Sequence, residues 1–257
     1  MKSYLVDAFT DVIFKGNPAA VVIMDHWLPD EILQKIAIEN GVAETAFTVK
    51  EGSSYKLRWF THTCEIELCG HATLATAFVL MNYYEFEADV ITFQTLGGEV
   101  KVAKTIDGYE LEFPSFELNQ VEVTKAMEDS ISAPIQEAYL GRDLLCVVDS
   151  PKVIASLQPD FDKIASLDGV LLNVTARGKN YDCVSRTFTP KHGVLEDQVC
   201  GSGHCHIVPY WSNKLSKKNI VAFQASQRTG VLYGRYEGSK TYLAGKAVLY
   251  STSEISL

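Results

Sequence analysis

The sequence has no long apolar run, few cysteines and few basic residues, and each shortage excludes a class of protein. Apolar runs such as Ala77 to Met81 are far shorter than the roughly 20 residues of a membrane-spanning helix. Six cysteines are too few for a disulfide-built scaffold, and the N-terminal residues lack the order of a secretory signal. The net charge of −9 provides no field that would hold nucleic acid. We therefore expect a cytoplasmic protein with no membrane and no nucleic-acid partner.

What is present is a globular composition in a chain of moderate length. Hydrophobic residues make up 47% and charged residues 21% of the 257 residues, which excludes an intrinsically disordered chain. This length suits one large domain or two domains of about 100–150 residues each.

The two halves of the chain resemble each other. Similar segments recur in the second half in the same order, with nearly constant offsets of about half the chain. The matched segments are 34–49 with 162–177, 58–61 with 186–189, and Cys69-Gly70 with Cys200-Gly201. Their shared order predicts a duplication. We place an N-terminal domain at 1–116 and a C-terminal domain at 117–257.

Helix and strand signals alternate in both halves. A helix is predicted to follow Pro29 and to end at Asn40-Gly41. Apolar helices are predicted to begin at Gly70 and at Gly201, and glycines at Gly97-Gly98 and Asp107-Gly108 indicate hairpin turns. The pattern predicts a mixed α and β fold.

The two Cys-Gly pairs are the first candidate site. Unpaired N–H groups and the helix dipole at Gly70 and Gly201 suit a substrate carboxylate. Thiols at such positions, Cys69 and Cys200, are expected to have a lowered pKa and form a candidate thiol pair. The alternative is that both cysteines are simply small buried residues.

Three charged or titratable residues complete the candidate site. Glu44 lies in an apolar strand, where burial would raise its pKa towards that of a proton shuttle near neutral pH. Otherwise it is an edge residue facing solvent. His71 and Asp197 stand next to the helix starts, where they could orient or protonate a substrate. Alternatively both are capping residues, and Asp197 in particular fits an N-cap.

Metal and nucleotide signatures are missing. The cysteines and histidines form no C-x-x-C or H-x-x-x-H pattern, and no G-x-G-x-x-G or Walker motif is present. We therefore expect no metal and no cofactor.

Four segments carry a family resemblance: GNPAAVV, ETAF, CGHATLATA and EDQVCGSGH. With them the chain resembles, nearly end to end, the PhzF-like (phenazine biosynthesis-like) isomerases of the diaminopimelate epimerase fold. The resemblance implies an α/β (α+β) fold of two pseudo-symmetric domains, each a mostly antiparallel sheet wrapped around a central helix, with the active site between them. It also implies a cytoplasmic, cofactor-independent homodimer.

The resemblance further implies roles for individual residues. Glu44 matches the acid/base residue that moves a proton between carbons of a small carboxylic acid, cyclic or amino. His71 and Asp197 match its two partners. Substrate-binding positions at the helix starts are matched by Gly70, Gly201 and Ser202.

One motif departs from the family pattern. The usual EDPVTGSAH is here EDQVCGSGH, with Gln198, Cys200 and Gly203 substituted. Related amino-acid epimerases use two thiols, so Cys69 and Cys200 could form such a pair. We expect Glu44 to be the principal base of an isomerase. The alternatives are a two-thiol amino- or hydroxy-acid epimerase and a non-catalytic protein that binds a small acid.

Overall fold

The computed structural model describes all 257 residues and divides into two compact units. The first unit comprises Met1–Glu112 with Ala244–Leu257, and the second comprises Phe113–Leu243. Both mix strands with a few helices, as the sequence predicts. None of the helices is long and apolar enough to span a membrane.

The first unit is a mostly antiparallel sheet with two helices. Its strands are β1 Lys2–Ala8, β2 Asn17–Met24, β3 Glu44–Glu51, β4 Ser54–Phe60, β5 Glu65–Ile66, β6 Val90–Thr95, β7 Gly98–Thr105, β8 Gly108–Pro114 and β18 Ala247–Glu254. Its helices are α1 Asp30–Asn40 and α2 Gly70–Tyr83. Helix α2 is buried on almost every side and packs on β1, β2 and β3. An apolar helix of this kind suits a core position, because it has no polar face to present to water.

The predicted helix ends and hairpin turns of the first unit are confirmed. Helix α1 follows Pro29, and Gly41 ends it with a left-handed φ of 66°. Strand β7 pairs with β6 through a turn at Gly97-Gly98 and with β8 through a turn at Asp107-Gly108.

The second unit contains the remaining elements. Its strands are β9 Asn119–Val121, β10 Glu137–Leu140, β11 Leu144–Val147, β12 Leu172–Arg177, β13 Cys183–Phe188, β14 Glu196–Asp197, β15 Asn219–Gln224, β16 Gly230–Glu237 and β17 Lys240–Gly245. Its helices are α3 Lys125–Ile131, α4 Pro151–Ser156, α5 Phe161–Ser166 and α6 Gly201–Leu215, with a short 3₁₀ helix at Pro190–His192. Helix α6 is almost wholly buried from Gly201 to Ser212 and packs on β12, β15 and β16.

Matching strand registers relate the two units. In the first unit β2 runs parallel to β3, and Ala19 stands opposite Glu44. In the second unit β11 runs parallel to β12, and Leu144 stands opposite Leu172. Glu44 and Leu172 are separated by the same offset as the repeated segments 34–49 and 162–177, so Leu172 occupies the position of Glu44.

A matching ion pair precedes each buried helix. The guanidinium of Arg58 donates from Nε and Nη2 to both carboxylate oxygens of Glu65, each at 2.6 Å. Arg186 does the same with Glu196, each at 2.7 Å. Bidentate pairs of this kind fix geometry as well as charge, and each one ties the short strand before the helix to the long strand behind it.

The predicted C-terminal boundary was wrong. Residues 244–257 belong to the first unit, because β18 pairs antiparallel with β1 from Lys2↔Glu254 to Ala8↔Ala247. The amino group of Met1 also donates to the carbonyl of Ile255 at 2.8 Å. Strand partners so far apart in sequence leave no local signal, which is why the repeat alone placed this strand in the wrong domain.

Candidate functional site

Cys69 is the N-cap of the buried helix in the first unit. It has an extended backbone, with φ −144° and ψ 104°, and its thiol makes no capping hydrogen bond. Burial raises the pKa of the Cys69 thiol, and the nearby charge of His71 offsets this only in part. The predicted lowering of this pKa was therefore wrong, because desolvation outweighs the helix dipole.

Glu44 and His71 form a buried ion pair beside Cys69. Glu44 is the first residue of β3, and His71 is the second residue of α2. Glu44 Oε2 lies 3.2 Å from His71 Nε2, and the side chains are 16% and 7% exposed. The two atoms make no hydrogen bond, so the contact is electrostatic.

The pKa values of this pair move in opposite directions. Burial opposes the charged form of Glu44, but the charge and close contact of His71, aided by His62, hold the pKa of Glu44 below its ordinary value. Burial likewise opposes the charged form of His71, but Cys69 and Glu44 raise its pKa well above the ordinary value. The predicted rise of the Glu44 pKa was wrong, because burial alone was considered and the cation at His71 was not. The pair is charged at neutral pH.

Asn17 is a site residue that sequence reasoning did not single out. It begins β2, is buried, and places its amide Nδ2 3.2 Å from His71 Nδ1. The sulfur of Cys69 lies 3.6 Å from the same nitrogen. The amide can donate to Nδ1 of a neutral ring, and the sulfur can accept from a charged one. A polar residue at the head of the apolar GNPAAVV segment was the available signal.

Cys200 is the N-cap of the buried helix in the second unit. Its Sγ accepts from the N–H of Gly203 at 3.3 Å and lies 3.5 Å from Ser202 Oγ. Burial raises the pKa of this thiol well above its ordinary value, and the negative charge of Asp197 adds to the effect. The predicted lowering was wrong here too. Cys200 caps a helix as a neutral thiol.

Asp197 does not cap the helix, contrary to one expectation. Its Oδ1 accepts from the N–H of Val199 at 3.1 Å, so it orders the turn before Cys200. Gln224, which the sequence did not indicate, joins the two. Its Oε1 accepts from the N–H of Cys200 at 2.8 Å, and its Nε2 donates to the carbonyl of Asp197 at 2.5 Å.

Gly203 departs from the family motif for a packing reason. A Cβ at this position would lie 2.3 Å from Oδ1 of Asn173 and 3.2 Å from Oγ1 of Thr187. Thr187 donates to Asn173 at 2.8 Å, so a buried hydrogen-bonded pair fills the space. Alanine would collide with this pair.

The structure brings together two sets of predicted residues. In the first unit, one ligand-type atom from each of Glu44, Cys69 and His71 lies within 4.8 Å of the others, at the helix start marked by Gly70. In the second unit, the predicted residues gather at the start of α6; they are Asp197, Cys200, Gly201 and Ser202. The first set offers a base, an acid and N–H groups. The second offers N–H groups, a hydroxyl and a carboxylate.

Comparison with known proteins decides the family. The model of the phenazine biosynthesis-like proteins, PhzC-PhzF, matches residues 6–253. The chain belongs to the phenazine biosynthesis-like family. An "uncharacterized isomerase" of Pseudomonas aeruginosa is 40% identical over 258 residues, covering 100% of this chain and 99% of the relative. One from Halalkalibacterium halodurans is also 40% identical, covering 99% and 98%. The resemblance is confirmed, and this member of the family is an isomerase.

Solved structures confirm the fold of this phenazine biosynthesis-like protein. A PhzF family protein of Enterococcus faecalis matches with a TM-score of 0.97 and 46% identity, covering 100% of this chain and 99% of that one. A hydroxyproline epimerase of Agrobacterium vitis matches with a TM-score of 0.65 at 11% identity, covering 99% and 90%. The fold is thus the epimerase-like α+β fold that the sequence predicts.

Proposed function

We propose that this isomerase transfers a proton between carbon atoms of a small carboxylic acid, cyclic or amino, by general acid–base catalysis without a cofactor. The observation that carries the proposal is the buried Glu44–His71 pair, 3.2 Å apart. An ionised carboxylate held against an imidazolium is a base and an acid in one place. Such a pair is costly to bury, and a catalytic role explains why it is kept.

Glu44 acts first as the base. Because His71 lowers the pKa of Glu44, the carboxylate is ionised at neutral pH and ready to accept a proton. It is a weak base, so the substrate C–H must be made acidic by a neighbouring carboxylate or enamine. Once protonated, Glu44 returns the proton to a different carbon on the same face of the substrate, which completes the isomerisation.

His71 supports both steps. When Glu44 accepts a proton, the negative charge that raises the pKa of His71 disappears, and the imidazolium becomes a stronger acid. It can then donate a hydrogen bond or a proton to the charge that develops on the substrate. Asn17 and Cys69 hold the ring from its Nδ1 side.

The helix starts are proposed to bind the substrate carboxylate. The first N–H groups of a helix have no partner within the helix, and the dipole there favours an anion. Gly70 in the first unit, and Gly201 with Ser202 in the second, occupy such positions. Asp197 is proposed as a second proton-handling residue.

A two-thiol mechanism receives less support. Burial raises the pKa of both Cys69 and Cys200, whereas a thiol that removes a proton from carbon must become a thiolate. The charge of His71 offsets the burial of Cys69 only in part, and the carboxylate of Asp197 raises the pKa of Cys200 further.

The test is solvent exchange. A panel of cyclic and amino acids is incubated with the enzyme in heavy water, and deuterium incorporation is read by mass spectrometry. Glu44→Gln should lower the exchange rate by about 10²–10⁴-fold, the usual contribution of a general base. Glu51→Gln, at the exposed end of the same strand, is the matched control and should be unchanged.

Two results would overturn the proposal. Exchange that survives Glu44→Gln and is lost in both Cys69→Ser and Cys200→Ser would establish the two-thiol epimerase. Binding of a panel acid without any exchange in the native enzyme would indicate the non-catalytic acid-binding protein. The expected homodimer and cytoplasmic location are tested separately, by light scattering in solution and by cell fractionation.

A further inference from the structure

Three different metal-ligand types meet at the start of α2. Glu44 offers a carboxylate oxygen, Cys69 a sulfur and His71 an imidazole nitrogen, and one such atom from each lies within 4.8 Å of the others. Carboxylate, thiolate and imidazole are the three side-chain ligands that Zn²⁺ takes in proteins. Glu44 lies on β3 and the other two at the start of α2, so sequence spacing alone gives no indication of this group.

Two of the three ligand atoms lack a hydrogen-bond partner. Glu44 Oε2 and His71 Nε2 are both buried and make no hydrogen bond. Buried polar atoms nearly always make hydrogen bonds, so two charged atoms that face each other without one leave a position for an ion that both can bind. His71 is only 6% exposed, so bulk water has little access to its Nε2 atom.

The distance between these atoms suits a tetrahedral ion. With Zn–N and Zn–O bonds of about 2.0–2.2 Å, two ligands of a tetrahedron stand about 3.3 Å apart. Oε2 and Nε2 are 3.2 Å apart. The sulfur of Cys69 lies 3.6 Å from the other ring nitrogen, Nδ1, so it must move around the edge of the ring to join the same ion. Three protein ligands leave the fourth position open.

We propose that Glu44, Cys69 and His71 bind Zn²⁺ and that the bound ion blocks the reaction. Cys69 binds as a thiolate, and its proton passes to solvent as the ion enters. Zn²⁺ occupies the base and the acid together, so neither can act on a substrate. The blocking effect rests on the proposed function, whereas the binding itself does not.

The corresponding helix start in the second unit does not form such a site. Cys200 Sγ already accepts from Gly203, and Ser202 stands where His71 stands in the first unit. His204 directs its Nδ1 to the carbonyl of Cys200 at 2.7 Å, and its Nε2 lies 3.4 Å from Ser185 Oγ, so both ring nitrogens already have partners. Cys200 therefore serves as an internal comparison for the metal test.

The first experiment measures binding alone. Zn²⁺ is titrated into the native enzyme in competition with a chromophoric chelator, and Cys69→Ser and His71→Gln are each expected to weaken binding by at least about tenfold. Cys64→Ser and His26→Gln change exposed residues of the same kinds and should bind like the native enzyme. Equal affinity in the native enzyme and in both site variants would overturn the proposal.

Co²⁺ provides a readout that does not depend on affinity. A thiolate bound to Co²⁺ gives a charge-transfer absorption band, which the native enzyme and Cys200→Ser should show and folded Cys69→Ser should not. A band that persists in Cys69→Ser would also overturn the proposal.

The last experiment distinguishes a failure of the proposed metal site from a failure of the proposed function. Zn²⁺ should abolish deuterium exchange, and EDTA should restore it. Zn²⁺ bound through Cys69 in an enzyme that exchanges no panel acid would count against the proposed function and leave the metal site standing. Exchange that continues at saturating Zn²⁺ would refute the block.

Discussion

The two helix starts occupy matching positions and have diverged in chemistry. Each follows a bidentate arginine–glutamate pair and begins with Cys-Gly. The first start carries a charged Glu44–His71 pair, whereas the second has Leu172 in place of Glu44 and Ser202 in place of His71. The scaffold is thus shared by both halves, while this acid–base pair is present on one side only. This difference supports the proposal that the Glu44–His71 pair carries the main proton transfer, with Asp197 at the second start in a supporting role.

Replacing the second residue of each helix should show the largest difference. His71→Gln removes the cation that keeps Glu44 ionised, and we expect a loss of about 10²-fold or more in the exchange rate. Ser202→Ala removes one hydroxyl, and we expect a loss of less than about tenfold. Steady-state deuterium exchange measures both. Equal losses at the two positions would show that the starts share the chemistry evenly.

The histidines of the two helices should titrate differently. Burial lowers the pKa of His204 to about 4, so its ring stays neutral at pH 6. The pKa of His71 is raised, so its ring is charged at the same pH. Nitrogen chemical shifts of the two rings measure this, and Glu44→Gln should lower the pKa of His71 and leave that of His204 in place.

The same pair makes stability depend on pH. The depressed pKa of Glu44 contributes stability above about pH 4.5, which is lost as the pH falls through the folded-state value. The raised pKa of His71 contributes stability below about pH 6.5, which is lost as the pH rises through its folded-state value. The stability difference between the native protein and Glu44→Gln should therefore be greatest between these limits. A difference that is flat with pH would contradict the ion pair.

Thiol reactivity should distinguish the buried cysteines from the exposed one. Cys64 is exposed, whereas the raised pKa values of Cys69 and Cys200 leave little thiolate at neutral pH. Iodoacetamide should label Cys64 first and the other two much more slowly, as read by peptide mass spectrometry. Rapid labelling of both Cys69 and Cys200 would revive the two-thiol mechanism.

The smallest expected difference between the two helix starts is in the stability that their N-cap residues contribute. Cys200 Sγ accepts from the N–H of Gly203, whereas the thiol of Cys69 makes no capping hydrogen bond. Loss of an N-cap costs about 1 kcal/mol, which for a protein of this size lowers Tm by about 2–4 °C. Cys200→Ala should lose this amount beyond the loss in Cys69→Ala, and Cys200→Ser should recover part of it. Calorimetry that shows equal losses would refute the capping role.

Local sequence signals predicted the helices, strands and turns. The properties of the candidate site depend instead on distances between residues of different elements. Pro29, Gly41 and the hairpin glycines act on their own neighbours, so the sequence alone located those turns. The sign of the Glu44 pKa shift depends on an imidazole carried by a different element, and no local rule reports the distance between them. Gln224 and Asn173 act by filling space and joining turns, for which the sequence offers no periodic pattern.

The pairing of β18 with β1 has a consequence for how the chain is made. Residues 113–243 are translated before β18, so the second unit can fold on the ribosome while the first still lacks its outer strand. Until that strand arrives, β1 keeps an open edge able to pair with another nascent chain. The sheet of the first unit is thus completed late in synthesis, after the whole of the second unit.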